Sequence, residues 1–183
     1  MGARLPEKAG VVQGLYDMEQ KFNRIAGLNV LHLRPTYFME NLFGQIETIK
    51  NMGIMGTPVK GNLRFPMVAT RDIAEAAAKR LLALDFRGSS VQYVLGSRDV
   101  TYNEVAKVIG KPDLHYVEFP YEDAKKAMMQ GWGIGESAAN ALVEFVESLN
   151  AGRVSSNAKR MPENTMKTSI EDFATIFARV YQR

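Results

Sequence analysis

Apolar and polar positions follow two periods along this chain. From Val11 to Ile25 the apolar residues recur at helical spacing, with Val12, Leu15, Met18 or Glu19, Phe22 and Ile25 in one stripe. Gly27 supplies a stop. Leu28 to Leu33 is uncharged and mostly apolar, the pattern of a strand buried on both faces inside a parallel sheet. Arg34-Pro35 ends that ladder, because proline has no amide hydrogen to donate. Thr36 can then cap a helix from about Tyr37 to Asn51, with Phe38, Leu42, Ile46 and Ile49 on one side.

Gly53, Gly56, Pro58, Gly61 and Pro66 punctuate the next stretch, which reads as a loop with short strands near Ile54-Met55 and Met67-Val68. Thr70 can cap a helix over 71–84 that turns Ile73, Ala77, Leu81 and Leu84 inward. Val91 to Leu95 alternates as a strand, with Val91, Tyr93 and Leu95 on one face. Thr101-Tyr-Asn-Glu104 is a capping box, in which a hydroxyl and a carboxylate satisfy two orphan helix amides; its helix ends at Gly110. A short strand over 114–119 and a helix over 121–130 lead to Gly131, Gly133 and Gly135, and a longer helix covers 136–150. Residues 152–163 are polar and basic and read as a mobile loop. Thr168-Ser-Ile-Glu171 repeats the capping-box pattern and launches a last helix to about Gln182. No linker divides the chain, so residues 1–183 read as one α/β domain, helix-rich with a small mixed sheet.

Composition narrows the function classes. At 183 residues and 46% hydrophobic, the chain is long and apolar enough for a real core. The net charge of +3 comes without a dense Lys/Arg run, so no nucleic-acid partner is expected. The absence of cysteine excludes disulfides, thiolate metal sites and a cysteine nucleophile, and fits the reducing cytoplasm taken here as the location. MGARLPEKAG lacks a signal-peptide core, and no run approaches the ~18 apolar residues of a membrane span, so no membrane partner is expected. His32 reads as a satisfied core histidine, and His115 has no neighbour at metal-ligand spacing, so no metal site is expected.

Candidate chemistry concentrates in three places. GWGIG, Gly131 to Gly135, superficially resembles a nucleotide loop, but it follows a helix and lacks GxGxxG spacing, so it reads as a helix–helix turn. Met52 to Gly56 fails in the same way. The polar-aromatic cluster after Arg34 sits at the carboxyl end of a strand, where open α/β sheets place ligands. There Asn41 offers both donors and acceptors, suited to a carboxamide or carbonyl. The structural alternative makes Phe38 core, Thr36 a cap and Asn41 a solvated residue. Arg34 is expected to pair with a carboxylate, Asp72 being one candidate. Met128, Met129 and Trp132 either roof an apolar pocket or pack as plain core.

Five segments carry a family likeness: LHLRPTYFMENL, VATRDIAEAAAKRLL, YVLGSRDVTYNEVAKVIGK, GWGIGESAANALVEF and TSIEDFATIF. In this order they resemble the NmrA-like branch of the atypical short-chain dehydrogenase/reductases. The likeness covers nearly the whole chain, and its specificity lies in the ordered set. It implies the C-terminal part of a Rossmann-like fold, comprising the last sheet strands and the substrate-side region. The N-terminal half with its glycine-rich dinucleotide loop would be missing. It implies NAD(P) for the full-length family, with Pro35, Thr36, Tyr37 and Phe38 at the cofactor. Tyr37, Glu40 and Asn41 would line the substrate pocket, joined by Met128 and Trp132 if that cluster is a pocket.

Departures from the family pattern matter too. In the family a Tyr-x-x-x-Lys pair works on the helix before the Arg-Pro strand, the lysine lowering the tyrosine pKa for proton exchange. Here Tyr16 is followed four positions on by Gln20, and Lys21 comes one residue late, which rotates the ammonium by roughly 100° around a helix. The lysine that the branch often carries one turn before the position of Glu19 is Leu15 here. No catalytic residue is therefore assigned, and Tyr16 reads as a half-buried helix aromatic. The family's sheet order would pair the 28–33 strand with a strand outside this chain. That leaves an edge open to another chain, and a homodimer is expected. Two functions stay open. One is part of an NAD(P)-dependent oxidoreductase or NAD(P)-sensing protein, inactive alone and binding no cofactor by itself. The other is a non-catalytic module that binds through the sheet edge and a Met/Trp-lined pocket. A truncated product, an expression fragment and a misplaced start are all compatible with the opening at Met1.

Overall fold

The computed structural model describes residues 2–110, 113–154 and 158–182. In chain order the elements are α1 (Gln13–Asn23), β1 (Val30–Pro35), β2 (Tyr37–Phe38), α2 (Ile46–Met52), β3 (Ile54–Thr57), β4 (Phe65–Val68), α3 (Thr70–Ala83), β5 (Ser89–Val94), β6 (Asp99–Val100), α4 (Tyr102–Ile109), β7 (His115–Glu118), α5 (Tyr121–Trp132), α6 (Glu136–Asn150) and α7 (Ile170–Tyr181). Short 3-10 helices over Gly10–Val12 and Met39–Gln45 lead into α1 and α2.

The strands form three small sheets. β1 and β5 run parallel from Val30↔Ser89 to Pro35↔Val94. β2 pairs parallel with β4, which pairs antiparallel with β6. β3 and β7 are parallel. Period-two alternation sorts the side chains of the first sheet between two helices. On the α1 side, Asn23 Oδ1 lies 2.8 Å from His32 Nε2 and accepts from Ser89 Oγ at 2.5 Å. On the α3 side, Leu33 and Ile73 pack against Val68, Ala76 and Val94. The main core lies elsewhere. Phe65, Met67, Tyr102, Val105, Ile170, Phe173 and Phe177 join Met39, Leu42 and Met55 in one cluster. Gly96 lets the layers approach: a Cβ there would sit 1.6 Å from the Met67 carbonyl oxygen, which only glycine avoids.

Several expectations need correction. β1 is half-buried at all six positions rather than buried on both faces, because β5 is its only strand partner among the described residues; Leu28 lies outside it, 42% exposed. The single helix over 37–51 is divided. The backbone amide of Thr36 donates to the Val94 carbonyl at 3.2 Å, and Tyr37–Phe38 pair with Met67–Val68. The chain is thus held extended, then winds as a 3-10 helix, and is α-helical only from Ile46. Ala69, not Thr70, occupies the N-cap of α3. The expected inward row of α3 holds only in its first half: Ile73 packs against Val68, Ala76 and Val94 and Ala77 is half-buried, whereas Leu81 and Leu84 are 64% and 61% exposed; the helix buries Asp72 and Ala76. The α1 stripe also faces out, with only Glu19 buried in that helix.

The first capping box forms as read, both of its bonds at 3.0 Å. The second slips by one residue to Ser169 and Asp172, because Thr168 is engaged by Asp72, which accepts from its amide at 3.1 Å and from its hydroxyl at 2.8 Å. Gly133, at φ +64°, ends α5 in the left-handed conformation, so the glycine run is a helix–helix turn. Residues 155–157 of the 152–163 loop lie outside the described residues. Within the rest of it, Val154 is buried in the main core.

Candidate functional site

Arg34 anchors the carboxyl end of β1. Its guanidinium meets Glu19 through Nε–Oε1 at 3.1 Å and Nη2–Oε2 at 2.5 Å, and Nη1 donates to Tyr93 Oη at 3.2 Å. The two charged side chains are only 14% and 8% exposed. The Glu19 hydrogen bond, opposed by burial, raises the Arg34 pKa above its ordinary value, so the guanidinium stays charged. Arg34 thus pairs with a carboxylate as expected, but with Glu19 rather than the candidate Asp72, which binds Thr168 and Arg71. The sequence hid the correct partner because Glu19 sat in a stripe that read as apolar.

Beyond Pro35, Thr36 and Tyr37 turn inward and Phe38 faces out. Thr36 is 3% exposed, its hydroxyl 3.4 Å from the Val94 carbonyl. Tyr37 points into the main core, its ring edge-on to Phe65 at 5.5 Å and to Tyr102 at 6.4 Å. Tyr102 Oη donates to Tyr37 Oη at 2.9 Å, and Asn41 also bonds Tyr37. Tyr116 stacks on Tyr102 at 4.8 Å. Its phenol donates to the Val59 carbonyl at 2.5 Å and lies 2.5 Å from Thr57 Oγ1. A chain of hydroxyls thus runs from exposed Asn41 into the core.

Burial raises the pKa of all three tyrosines above the ordinary value. For Tyr37, hydrogen bonds from Tyr102 and Asn41 pull the other way. For Tyr102, the neighbouring Tyr37 adds to burial. For Tyr116, burial outweighs the Thr57 hydrogen bond. Neutral phenols of this kind donate hydrogen bonds but are poor general bases near neutral pH.

The remaining expected site residues divide. Phe38, 38% exposed, and exposed Asn41 remain open at the surface beside Tyr37. Glu40 serves the fold: at the amino end of α3 its carboxylate accepts from the Thr70 amide at 3.0 Å and from the Thr70 hydroxyl at 2.7 Å. Met128 is half-buried in α5, and Trp132 is 65% exposed at the end of that helix. Tyr102, Tyr116 and Thr57 were not anticipated. Tyr102 lay inside a segment that its capping box already explained, and nothing in the spacing linked Thr57 to Tyr116 across the chain.

A groove of about 580 Å³ lies on the α3 side of β1–β5, lined by residues including Leu31, Asp72, Lys79, Arg80, Gln92 and Asn164. It holds none of the strand-end residues and mixes charges of both signs, so the strand end is the better candidate on chemistry.

That strand end suits only one end of a dinucleotide. Phe38 could flank a planar ring and Asn41 could meet its carboxamide. Among the described residues, no glycine turn joins a strand to a helix N-terminus, so nothing there cradles a pyrophosphate. Three or more His, Cys, Asp or Glu residues able to hold a metal are not grouped anywhere among the described residues. Nor is any helix there long and apolar enough to cross a membrane.

No protein-family model and no curated protein matches the chain. Solved structures do. A nucleoside-diphosphate-sugar epimerase from Staphylococcus aureus superposes with TM-score 0.74 at 14% identity, over 94% of this chain and 61% of that one. The NADPH-dependent quinone oxidoreductase of Escherichia coli, complexed with NADPH, superposes with TM-score 0.75 at 16% identity, over 93% of this chain and 61% of that one. Another structure of the same oxidoreductase gives 0.75 and 16%, over 93% and 62%. The chain shares the α/β fold of these structures over nearly its whole length and spans about three-fifths of theirs.

Proposed function

We propose that this chain is the substrate-side portion of an NmrA-like, NAD(P)-dependent oxidoreductase or NAD(P)-sensing protein, and that it does not catalyse alone. The observation that carries this reading is the superposition on NADPH-linked enzymes over nearly the whole chain but only three-fifths of theirs. Fold likeness does not itself assign activity. The strand-end chemistry supplies the local support: Phe38 and Asn41, which reach the surface, would meet the nicotinamide, while Thr36 and Tyr37, turned inward, would hold the segment that presents them. In this reading Glu40 positions the segment rather than touching substrate. The cysteine-free composition suits a cytoplasmic setting.

The experiment is ligand-observed NMR with NADPH. Weak contact through the nicotinamide protons, without the adenine protons, is expected, and Phe38→Ala with Asn41→Ala should remove it. No nicotinamide contact at millimolar ligand would defeat the assignment of the strand end. Micromolar affinity by calorimetry would defeat the view that the chain alone lacks a dinucleotide grip.

A second reading is a non-catalytic binding module. The open edge of β1 and the neutral, buried tyrosines favour it. Parallel pairing of an added strand along Val30–Pro35 would be its signature.

A further inference from the structure

β5 has two edges, and only the one beside β1 is paired along its length. The carbonyls of Gly88 and Val94 accept from the Val30 and Thr36 amides, so the backbone groups of even-numbered residues turn toward β1. Those of odd-numbered residues turn the other way. There the Leu95 amide donates to the Asn164 carbonyl and the Leu95 carbonyl accepts from the Met166 amide, both at 2.8 Å. The neighbouring chain then curls off, the Asn164 amide bonding the Met161 carbonyl at 3.2 Å, and contact on this side reduces to the single bridge Leu95↔Thr165. Val91 and Tyr93 therefore present amides and carbonyls with no strand alongside them among the described residues. This edge faces away from β1, so a strand added along β1 would leave it open.

The groove of about 580 Å³ opens on this edge. Leu31, Ala76 and Met166 give it an apolar floor, and Ser90 and Gln92 line it from β5. By strand alternation those two share a face with Val94, which packs beneath α3. Both are half-buried, and neither side chain has a hydrogen-bond partner among the described residues. A free backbone edge, an amide and a hydroxyl in one slot match a run of peptide groups, each of which brings one donor and one acceptor.

The charges of both signs are sorted along the groove. α3 runs back over β5: Ile73 packs near Val94, while Arg80 bonds Asp85 in the connection that leads to Ser89. Exposed Lys79 thus lies toward the Ser89 end. Exposed Glu75, one turn earlier, and exposed Glu163, beside Asn164, lie toward the Leu95 end, where Lys167 offsets one of them. Asp72 is already taken by Thr168.

We infer that this edge groove takes an extended peptide from another protein, antiparallel to β5, with a basic residue at its amino end and a carboxylate at its carboxyl end. Five positions, Ser89 to Tyr93, at about 3.3 Å each give a reach of roughly 16 Å and an occupant of about four or five residues. Charge sets the direction. An antiparallel peptide brings its carboxylate to Lys79 and its basic residue to Glu75 and Glu163, whereas a parallel one reverses both contacts. A second copy of this chain fits poorly, because its own 164–166 segment occupies the edge that would have to pair. The site lies apart from the strand-end cluster and does not depend on the NAD(P) reading.

The probe is a fluorescein-labelled peptide, KVTVE, with EVTVK as its control, both amidated at the carboxyl end and followed by anisotropy. KVTVE should bind, and EVTVK should bind about threefold more weakly, the scale of exposed charge pairs. Lys79→Glu should erase that preference, and Gln92→Ala should weaken KVTVE by about threefold, as for one lost hydrogen bond. At saturation, hydrogen exchange should slow at the Val91 and Tyr93 amides and stay unchanged at Ser90 and Gln92, whose amides already face β1. Equal affinity for the two peptides, no binding of either at millimolar concentration, or protection along Val30–Pro35 in place of Val91 and Tyr93 would each overturn the proposal. So would a dimer in sedimentation that Gln92→Lys dissociates, which would give the edge to a second copy.

Discussion

Two regions of this molecule are built to different standards of closure. Around Tyr102, four sources of chain meet: β2, β4, α4 and α7 bury Phe65, Met67, Val105, Phe173 and Phe177 almost completely. Around β1–β5, the buried cluster reduces to Val68, Ala76 and Val94, both strands are mostly half-buried, and the flanking helices expose leucines, methionine and phenylalanine. Hydrophobic burial fastens the first region. The second relies on directed polar contacts: the Glu19–Arg34–Tyr93 group and Asn23 bridging His32 and Ser89. An ion pair in a thin layer fixes how α1 sits on the sheet, because a misplaced helix would strand a charge.

Removing the centre of each region tests the contrast. Tyr102→Ala should cost roughly 3–5 kcal/mol in denaturant unfolding, as for other large buried aromatics, whereas Val91→Ala on the thin sheet should cost under about 1 kcal/mol. Equal losses would mean that the two regions do not differ as described. Glu19→Ala should cost about 3 kcal/mol by leaving Arg34 buried without its carboxylate. The double change Glu19→Leu with Arg34→Met should recover most of that loss, and a double variant no better than the single one would refute the charge explanation.

A smaller effect belongs to the cap on α3. Glu40→Gln should lower stability by about 1 kcal/mol, the scale of a lost helix cap, while leaving the tyrosine cluster intact by near-ultraviolet dichroism. The last test separates the regions by pH. Tyr37, Tyr102 and Tyr116 have folded pKa values raised above the ordinary 10.0. Their stabilising contribution is whole below about pH 10, the unfolded value, and fades as pH climbs from there toward the folded values. Phenolate absorbance should therefore appear in two stages, the buried three only as the chain unfolds, and Tyr102→Phe should flatten the alkaline loss.

Much of the architecture was legible in the sequence. Local signals worked where local chemistry decides: the Thr101–Glu104 box and the turn at the glycine run recur in the fold, and the strands read at 28–33 and 91–95 recur shifted by about two residues, the first running on through Arg34 and Pro35. They failed where a distant contact overrode them. Tyr37–Phe38 read as the start of a helix, yet pairing with Met67–Val68 draws them straight. Thr168 read as a cap until Asp72, far along the chain, claimed it. The α1 and α3 apolar rows had true helical period, but periodicity records which residues share a face, not whether anything lies against it. The strand-end cluster was half visible for the same reason. Its sequence-local members were named in advance, whereas Tyr102, Tyr116 and Thr57 arrive only through folding.

The bond from Glu40 to Thr70 has a practical outcome. It ties the surface turn bearing Phe38 and Asn41 to the first amide of a helix on the other side of the sheet end. Anything that settles on that turn and shifts it will loosen or tighten its tether, so deuterium uptake at the Thr70 amide becomes a remote gauge of occupancy, readable without knowing what the visitor is.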